Sequence, residues 1–288
     1  MKRIVVYLAS ILLTFTLGVA AASFWNWNKY PVKNLQPRVS VFERSPTNTT
    51  DSSASPVISA PTSTPDREVV FGRGRLRIVP DEVHLKSERL RYEIDVSYPQ
   101  IGGSEDLHIR KLNQRMKELA TEQYQWPLNP SKADLRYYRK KGPEAFNTID
   151  LDYEIRLATD SFLSIYFIGY SYGIGAAHSV QYSFVMNYDL GSGKELKLAD
   201  LFKPRSKYLE FISRYCMNEL SKGTDQGSVI FKDALAPITE NYDSWNVTRD
   251  GIRFNFDACK VFGCAGGKQT VEIPFAALKE ILNPERPR

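Results

Sequence analysis

Between residues 87 and 98 every second side chain is apolar. Leu90, Tyr92, Ile94, Val96 and Tyr98 alternate with Arg89, Arg91, Glu93, Asp95 and Ser97. A period of two sends these sets to opposite faces of an extended chain, so the segment is an amphipathic strand that needs partner strands and a core on one side. Ile149, Leu151, Tyr153, Ile155 and Leu157 repeat the alternation. Residues 162–172 are apolar on both faces, as a central strand requires, and 181–190 form a further strand ending at Gly191-Ser192-Gly193. Asp250-Gly251 reads as a hairpin turn between Trp245-Asn246-Val247 and residues 252–256. Residues 268–273 make a last strand, and Pro274 opens a short helix.

Two main helices are expected. One covers 105–124, capped by Ser104, with Leu107, Leu112, Met116, Leu119 and Ala120 approximating its apolar stripe. The other covers 206–222, with Leu209, Ile212, Cys216 and Leu220 inward and Gly223 at its end. Residues 126–143 read as a polar, basic loop. The pattern predicts an α+β fold of antiparallel sheets packed with two main helices, in two subdomains, 67–146 and 147–288.

Ahead of this lies a segment of different character. After Met1-Lys2-Arg3, residues 4–25 contain no charge and no proline. As a helix they would span about 33 Å, enough for a bilayer core of about 30 Å. The basic pair favours a cytoplasmic N-terminus and sends the rest outward. One reading is a membrane anchor with Trp25, Trp27 and Tyr30 at the outer interface. The other is a signal peptide cleaved after the small residues Ala20-Ala21-Ala22. The expected location is therefore the cell membrane, single-pass with an extracytoplasmic C-terminal domain, or secreted or periplasmic after cleavage. Residues 26–66 follow as a linker. From Ser45 to Pro65, fifteen of 21 residues are Ser, Thr or Pro. So little apolar surface cannot offset the entropy of ordering, and a mobile tether is expected.

Charge limits the partners. The chain carries a formal net charge of +5, of which residues 1–66 account for +3. The remaining +2 gives the folded part no strong overall field for a polyanion, which argues against nucleic acid. Three cysteines are too few for a disulfide scaffold.

Candidate functional residues are few, and each has a structural alternative. His178, in Gly173-Ile174-Gly175-Ala176-Ala177-His178, is either a base or ligand in a glycine-rich loop or a hydrogen-bonded turn residue. Arg136, Tyr137, Tyr138 and Arg139, followed by Lys140-Lys141, could dock an acidic wall polymer or a partner, or form a solvated loop. Cys259 and Cys264 can close a disulfide outside the cytoplasm, the alternative being a redox or nucleophilic pair, while Cys216 falls on the apolar helix face. His84 and His108 have no companion at metal-ligand spacing, so no metal site and no cofactor are expected.

The order of segments resembles a bacterial extracytoplasmic family. It includes the ectodomain of the lysozyme-responsive anti-sigma factor RsiV and the N-terminal module of PdaC-type peptidoglycan deacetylases. The resemblance rests on Tyr92-Glu93-Ile94-Asp95-Val96-Ser97-Tyr98-Pro99-Gln100-Ile101, on Gly175-Ala176-Ala177-His178, and on Asn187-Tyr188-Asp189-Leu190 with Gly193-Lys194-Glu195-Leu196. Leu198-Ala199-Asp200-Leu201-Phe202 and Val271-Glu272-Ile273-Pro274-Phe275 complete it. It implies a PdaC-type region in 67–146 and an RsiV-like region in 147–288. The three residues before the apolar run are too few to hold a sigma factor, and no catalytic module is expected after residue 288. The function implied is noncatalytic recognition of a cell-envelope protein, such as a lysozyme-like hydrolase, or of a peptidoglycan-type glycan. The alternatives are an envelope hydrolase or deacetylase domain using His178, and a structural envelope protein.

Overall fold

The computed structural model describes residues 69–222 and 229–284. The apolar run at 4–25, the linker at 26–66 and the expected helix stop at Gly223 lie outside these residues. No helix among the described residues is long and apolar enough to cross a membrane.

Seven strands form one sheet in chain order: β1 (Val69–Phe71), β2 (Leu76–Ser87), β3 (Tyr92–Gly102), β4 (Asn147–Ala158), β5 (Phe162–Tyr172), β6 (Val180–Asp189) and β7 (Lys194–Glu195). The strand expected from 87–98 is realised as β3 only from Tyr92, where Ile94, Val96 and Tyr98 are buried while Asp95 is exposed; Ser87 ends β2 and residues 88–91 form the turn between them. Residues 162–172 are β5, a central strand between β4 and β6 with Phe162 to Phe167 buried without interruption.

Two expectations are corrected. The sheet is not purely antiparallel, because β3 and β4 run parallel, Tyr92 opposite Asn147 and Val96 opposite Leu151. A parallel pair needs a long crossover. Here it contains α1 (Leu107–Gln123) and α2 (Lys132–Lys140). The second correction is α2 itself, which falls where a loop was expected. Its apolar content is too small to give a helical stripe, and local capping starts it instead. Ser131 Oγ accepts from Asp134 N at 3.1 Å, and Asp134 Oδ2 accepts from Ser131 N at 2.9 Å. The β3–β4 pairing also ties residues 67–146 to 147–288 by backbone hydrogen bonds.

Helix α1 is capped by Asp106 rather than Ser104, Asp106 Oδ1 accepting from His108 N at 2.7 Å. It lays Ile109, Leu112, Met116 and Ala120 on one face of the sheet, against Ile94, Val96, Ile149, Leu151, Ile165 and Phe167. A second core lies beyond the sheet's last strands. There α3 (Tyr208–Lys222) packs Ile212, Cys216 and Leu220 against an antiparallel sheet of β8 (Trp245–Val247), β9 (Gly251–Phe256) and β10 (Gln269–Pro274), followed by α4 (Phe275–Leu278). The Asp250-Gly251 turn lies between β8 and β9 as expected.

A buried polar seam joins the two sheets. Ser164 Oγ on β5 donates to Asn187 Oδ1 on β6 at 2.7 Å and accepts from Asn246 Nδ2 at 3.0 Å and Val247 N at 3.1 Å. Asn187 Nδ2 donates to Trp245 O at 2.8 Å, and Asn246 Nδ2 to Ile165 O at 3.0 Å. Asn246, part of a formal glycosylation sequon, is fully buried and so closed to modification in the folded state.

Candidate functional site

Helix α2 is an outlying element. None of its nine residues is buried, and only Leu135 and Tyr138 turn partly toward the protein. A short helix without a buried face contributes little to a core, so its exposed side chains, rather than packing, are the place to look for a role. The capping box fixes where it starts. The Ser131 hydroxyl and amide, both hydrogen-bonded to the Asp134 carboxylate's residue, hold that carboxyl below its ordinary value.

Behind α2 runs the 173–179 turn that joins β5 to β6. Buried Asn147 anchors it: Asn147 Oδ1 accepts from Ile174 N at 2.9 Å, while Asn147 Nδ2 donates to Arg91 O at 3.1 Å. Ala176 N donates to Gly173 O at 2.9 Å and closes the turn. Gly175 has φ +94°, a conformation that L side chains rarely adopt. The open side of Gly175 is filled by the Tyr137 hydroxyl, which a Cβ at this position would overlap. Trp126, in the turn after α1, reaches the same strip; a Cβ on Gly173 would stand 3.9 Å from Trp126 Cη2.

Two candidates that lie far apart in sequence are thereby brought together. Tyr137 belongs to the Arg136–Arg139 cluster, and Gly175 belongs to the loop that carries His178. Trp126 and Tyr137 nevertheless remain 47% and 42% exposed. The Tyr137 and Tyr138 rings meet edge to face at a centroid distance of 6.2 Å, and Lys141 Nζ lies 5.2 Å from the Tyr137 ring centroid. Trp126 was missed in the sequence reading, which placed it in an undifferentiated polar loop. The signal available was a tryptophan among polar residues that no apolar periodicity accounts for.

The helix also carries four cations on one side. Arg73, Lys86, Arg91, Arg115, Arg156, Arg253 and Lys260 each lie within ion-pair distance of a carboxylate. Among the described residues Lys132, Arg136, Arg139 and Lys140 have no such partner. At about 100° per residue these four side chains project within an arc of about 100°, with Tyr137 next to it. The result is a cationic ridge bordered by two exposed aromatic rings and a glycine turn.

His178 is exposed in its turn, with Nδ1 3.1 Å from Ser179 O. Cys259 and Cys264 are joined as a disulfide, and Cys216 is a buried thiol whose pKa is pushed up to about 12 by burial. His108 packs against the Gly193 turn, where a side chain would overlap its ring. His84 lies on the solvent face of the first sheet, its Nδ1 2.6 Å from Asp95 Oδ1 and its Nε2 3.2 Å from Glu82 Oε2. Among the described residues no three His, Cys, Asp or Glu side chains converge as metal ligands would.

Residues 85–181 match the family model described as deacetylase PdaC, and residues 199–276 match a protein family of unknown function, DUF3298. The two matched stretches follow one another along the chain. A curated relative, the peptidoglycan-N-acetylmuramic acid deacetylase PdaC of Bacillus subtilis (strain 168), is 30% identical over 141 residues. That match covers 48% of this chain and 30% of the relative, so the chain spans less than a third of the length of the protein it matches. Two solved DUF3298-family structures are similar. The one from Pseudomonas aeruginosa PAO1 is 18% identical with a TM-score of 0.49, covering 73% of this chain and 94% of that one. The one from Bacteroides fragilis NCTC 9343 is 17% identical with a TM-score of 0.48, covering 72% and 91%. Trp126, α2 and the 173–179 turn all fall within the stretch that matches PdaC.

Proposed function

We propose that this chain is a noncatalytic recognition module that faces the cell envelope and takes a peptidoglycan-type glycan on the surface formed by Trp126, Tyr137 and the 173–179 turn. The observation that carries the reading is the exposure of two large aromatic rings on either side of a glycine turn, beside a helix that buries nothing. Their flat apolar surfaces match the C–H faces of sugar rings. The Bacillus subtilis relative is named as a deacetylase of peptidoglycan N-acetylmuramic acid, which supports a glycan of that class.

The same geometry favours binding over turnover. His178 is exposed on its turn, and the one side-chain hydrogen bond it shows is from Nδ1 to Ser179 O, so among the described residues no serine hydroxyl, cysteine or carboxylate is seen paired with it as in a nucleophile–base arrangement. The uncharged run at 4–25 behind Lys2-Arg3 supports an extracytoplasmic position, with the Ser/Thr/Pro-rich linker providing reach.

The experiment is co-sedimentation of the full-length chain with purified peptidoglycan, with a panel of lysozyme-like hydrolases titrated separately. Trp126→Ala and Tyr137→Ala are expected to weaken glycan binding by about tenfold each, the scale of one lost aromatic contact. Binding to a hydrolase with no glycan binding would move the function to a protein partner. Release of acetate or sugar fragments that depends on His178 would replace recognition by catalysis.

A further inference from the structure

The cationic ridge of α2 borders the exposed Trp126 and Tyr137 rings. Lys132, Arg136, Arg139 and Lys140 are all exposed, share one side of a nine-residue helix, and have no carboxylate within reach among the described residues. The helix's one acid, Asp134, is spent on the Ser131 cap. Four like charges on adjacent turns repel one another, and the arrangement is relieved by an anion from outside. Resting on the glycan reading above, we propose that α2 selects for the carboxylates of peptidoglycan. Arg136 and Arg139 pair with free carboxylates of the stem peptides, while Trp126 and Tyr137 hold the adjoining sugar.

Three observations favour this occupant over an anionic bilayer. The aliphatic residue of α2, Leu135, is turned partly toward the protein, so the helix offers no exposed aliphatic face for insertion. The Tyr137 hydroxyl packs against Gly175, so the tip of the ring rests on the turn rather than pointing outward for insertion. The folded part carries only a small net positive charge, so the attraction is local to this ridge rather than a general affinity for polyanions. Arginine suits the role because its planar guanidinium matches a carboxylate with two parallel hydrogen bonds.

The test compares the full-length chain with R136Q/R139Q and Trp126→Ala on three surfaces: intact peptidoglycan, peptidoglycan whose carboxyls have been converted to amides, and vesicles containing phosphatidylglycerol. The substituted residues are exposed, and an unchanged melting temperature confirms the fold of each variant. The expected result is tight binding to intact peptidoglycan that weakens with added salt and falls about tenfold on the amidated material. R136Q/R139Q should show the same tenfold loss on intact peptidoglycan, a flatter salt dependence, and no further loss on the amidated form. Trp126→Ala should bind weakly while keeping the wild-type salt dependence. Equal binding to amidated and intact material would overturn the carboxylate selection while leaving glycan recognition standing. Preferential binding to the vesicles, lost in R136Q/R139Q, would reassign the ridge to the membrane. An absence of binding to either peptidoglycan would remove both the selection and the reading beneath it.

Discussion

Ser164 Oγ sits 2.7 Å from Asn187 Oδ1 and uses its remaining acceptor capacity on the second sheet, taking hydrogen bonds from Asn246 Nδ2 and Val247 N. A hydroxyl has one proton and two lone pairs, and all are engaged here. The contact is fully buried, so it cannot be exchanged for water. The two hydrophobic cores are thus joined by directional bonds as well as by packing. A seam of this kind fixes relative orientation, because sliding either sheet leaves buried donors unsatisfied.

Replacing Ser164 by Ala should therefore cost more than a surface hydroxyl would. Val247 N loses its side-chain acceptor outright, while Asn246 Nδ2 keeps Ile165 O. A buried donor without a partner costs about 1–3 kcal/mol. Urea unfolding should show a loss in that range with an unchanged slope. A loss below about 0.5 kcal/mol would mean that water replaces the bond and the seam is not closed.

The seam marks the limit of what the sequence made legible. Strands β3 and β4 followed from alternation, because burial of one face constrains every second residue, and β5 from an apolar run that leaves neither face for water. Helical spacing also placed Leu112, Met116 and Ala120 of α1 and Ile212, Cys216 and Leu220 of α3 in the core, but Leu107 is exposed and Ile109 takes its place. Ser164, Asn187 and Asn246 gave no signal, since a polar residue in a strand looks the same whether it faces water or a distant partner. Helix α2 was invisible for a related reason: with no buried face it has no apolar period, and its Ser131–Asp134 box is a weak cue within a polar stretch. Arg136 to Arg139 and His178 could be singled out by composition. The approach of Tyr137 to Gly175 depends on the β3–β4 crossover, which no local pattern encodes.

Gly175 is expected to be intolerant of even the smallest side chain. Its φ of +94° is strained for alanine, and the added methyl meets the Tyr137 hydroxyl. Gly175→Ala should destabilise by about 1–2 kcal/mol and displace Tyr137 from the turn, weakening glycan binding as well. In a double-mutant cycle with Tyr137→Ala the steric part should vanish and the backbone part remain. Strict additivity of the two changes would show that the ring and the turn are not coupled.

The Cys259–Cys264 disulfide closes a small loop whose Val261 is buried in the second core and whose Val261 O accepts from Phe231 N at 2.9 Å. Closing a loop of this length is worth about 2 kcal/mol in the chain-entropy view. Reductant should lower the melting temperature accordingly, and C259S/C264S should match the reduced protein and no longer respond to it. Cys216 provides an internal control: its thiol is buried with a pKa pushed up to about 12, so alkylation at pH 8 should spare it until the chain unfolds. Rapid labelling of Cys216 in the native protein would contradict its place in the core.

His84 should report the charge of the first sheet's solvent face. Its pKa is raised above 6.5, chiefly by the hydrogen bond with Asp95, then by the one with Glu82, with burial opposing weakly. A group whose native pKa exceeds its unfolded one stabilises the fold in its protonated form. The contribution is complete below the ordinary value of 6.5 and disappears as pH rises through the raised native value. The pair is well exposed, so the effect on stability is small and the titration itself is the sensitive readout. Nuclear magnetic resonance titration of the His84 ring should give a midpoint above 6.5, and Asp95→Asn should move it down. An unchanged midpoint in Asp95→Asn would show that the 2.6 Å contact does not persist in solution, and that the acidic strand face does not hold the imidazole in its charged form.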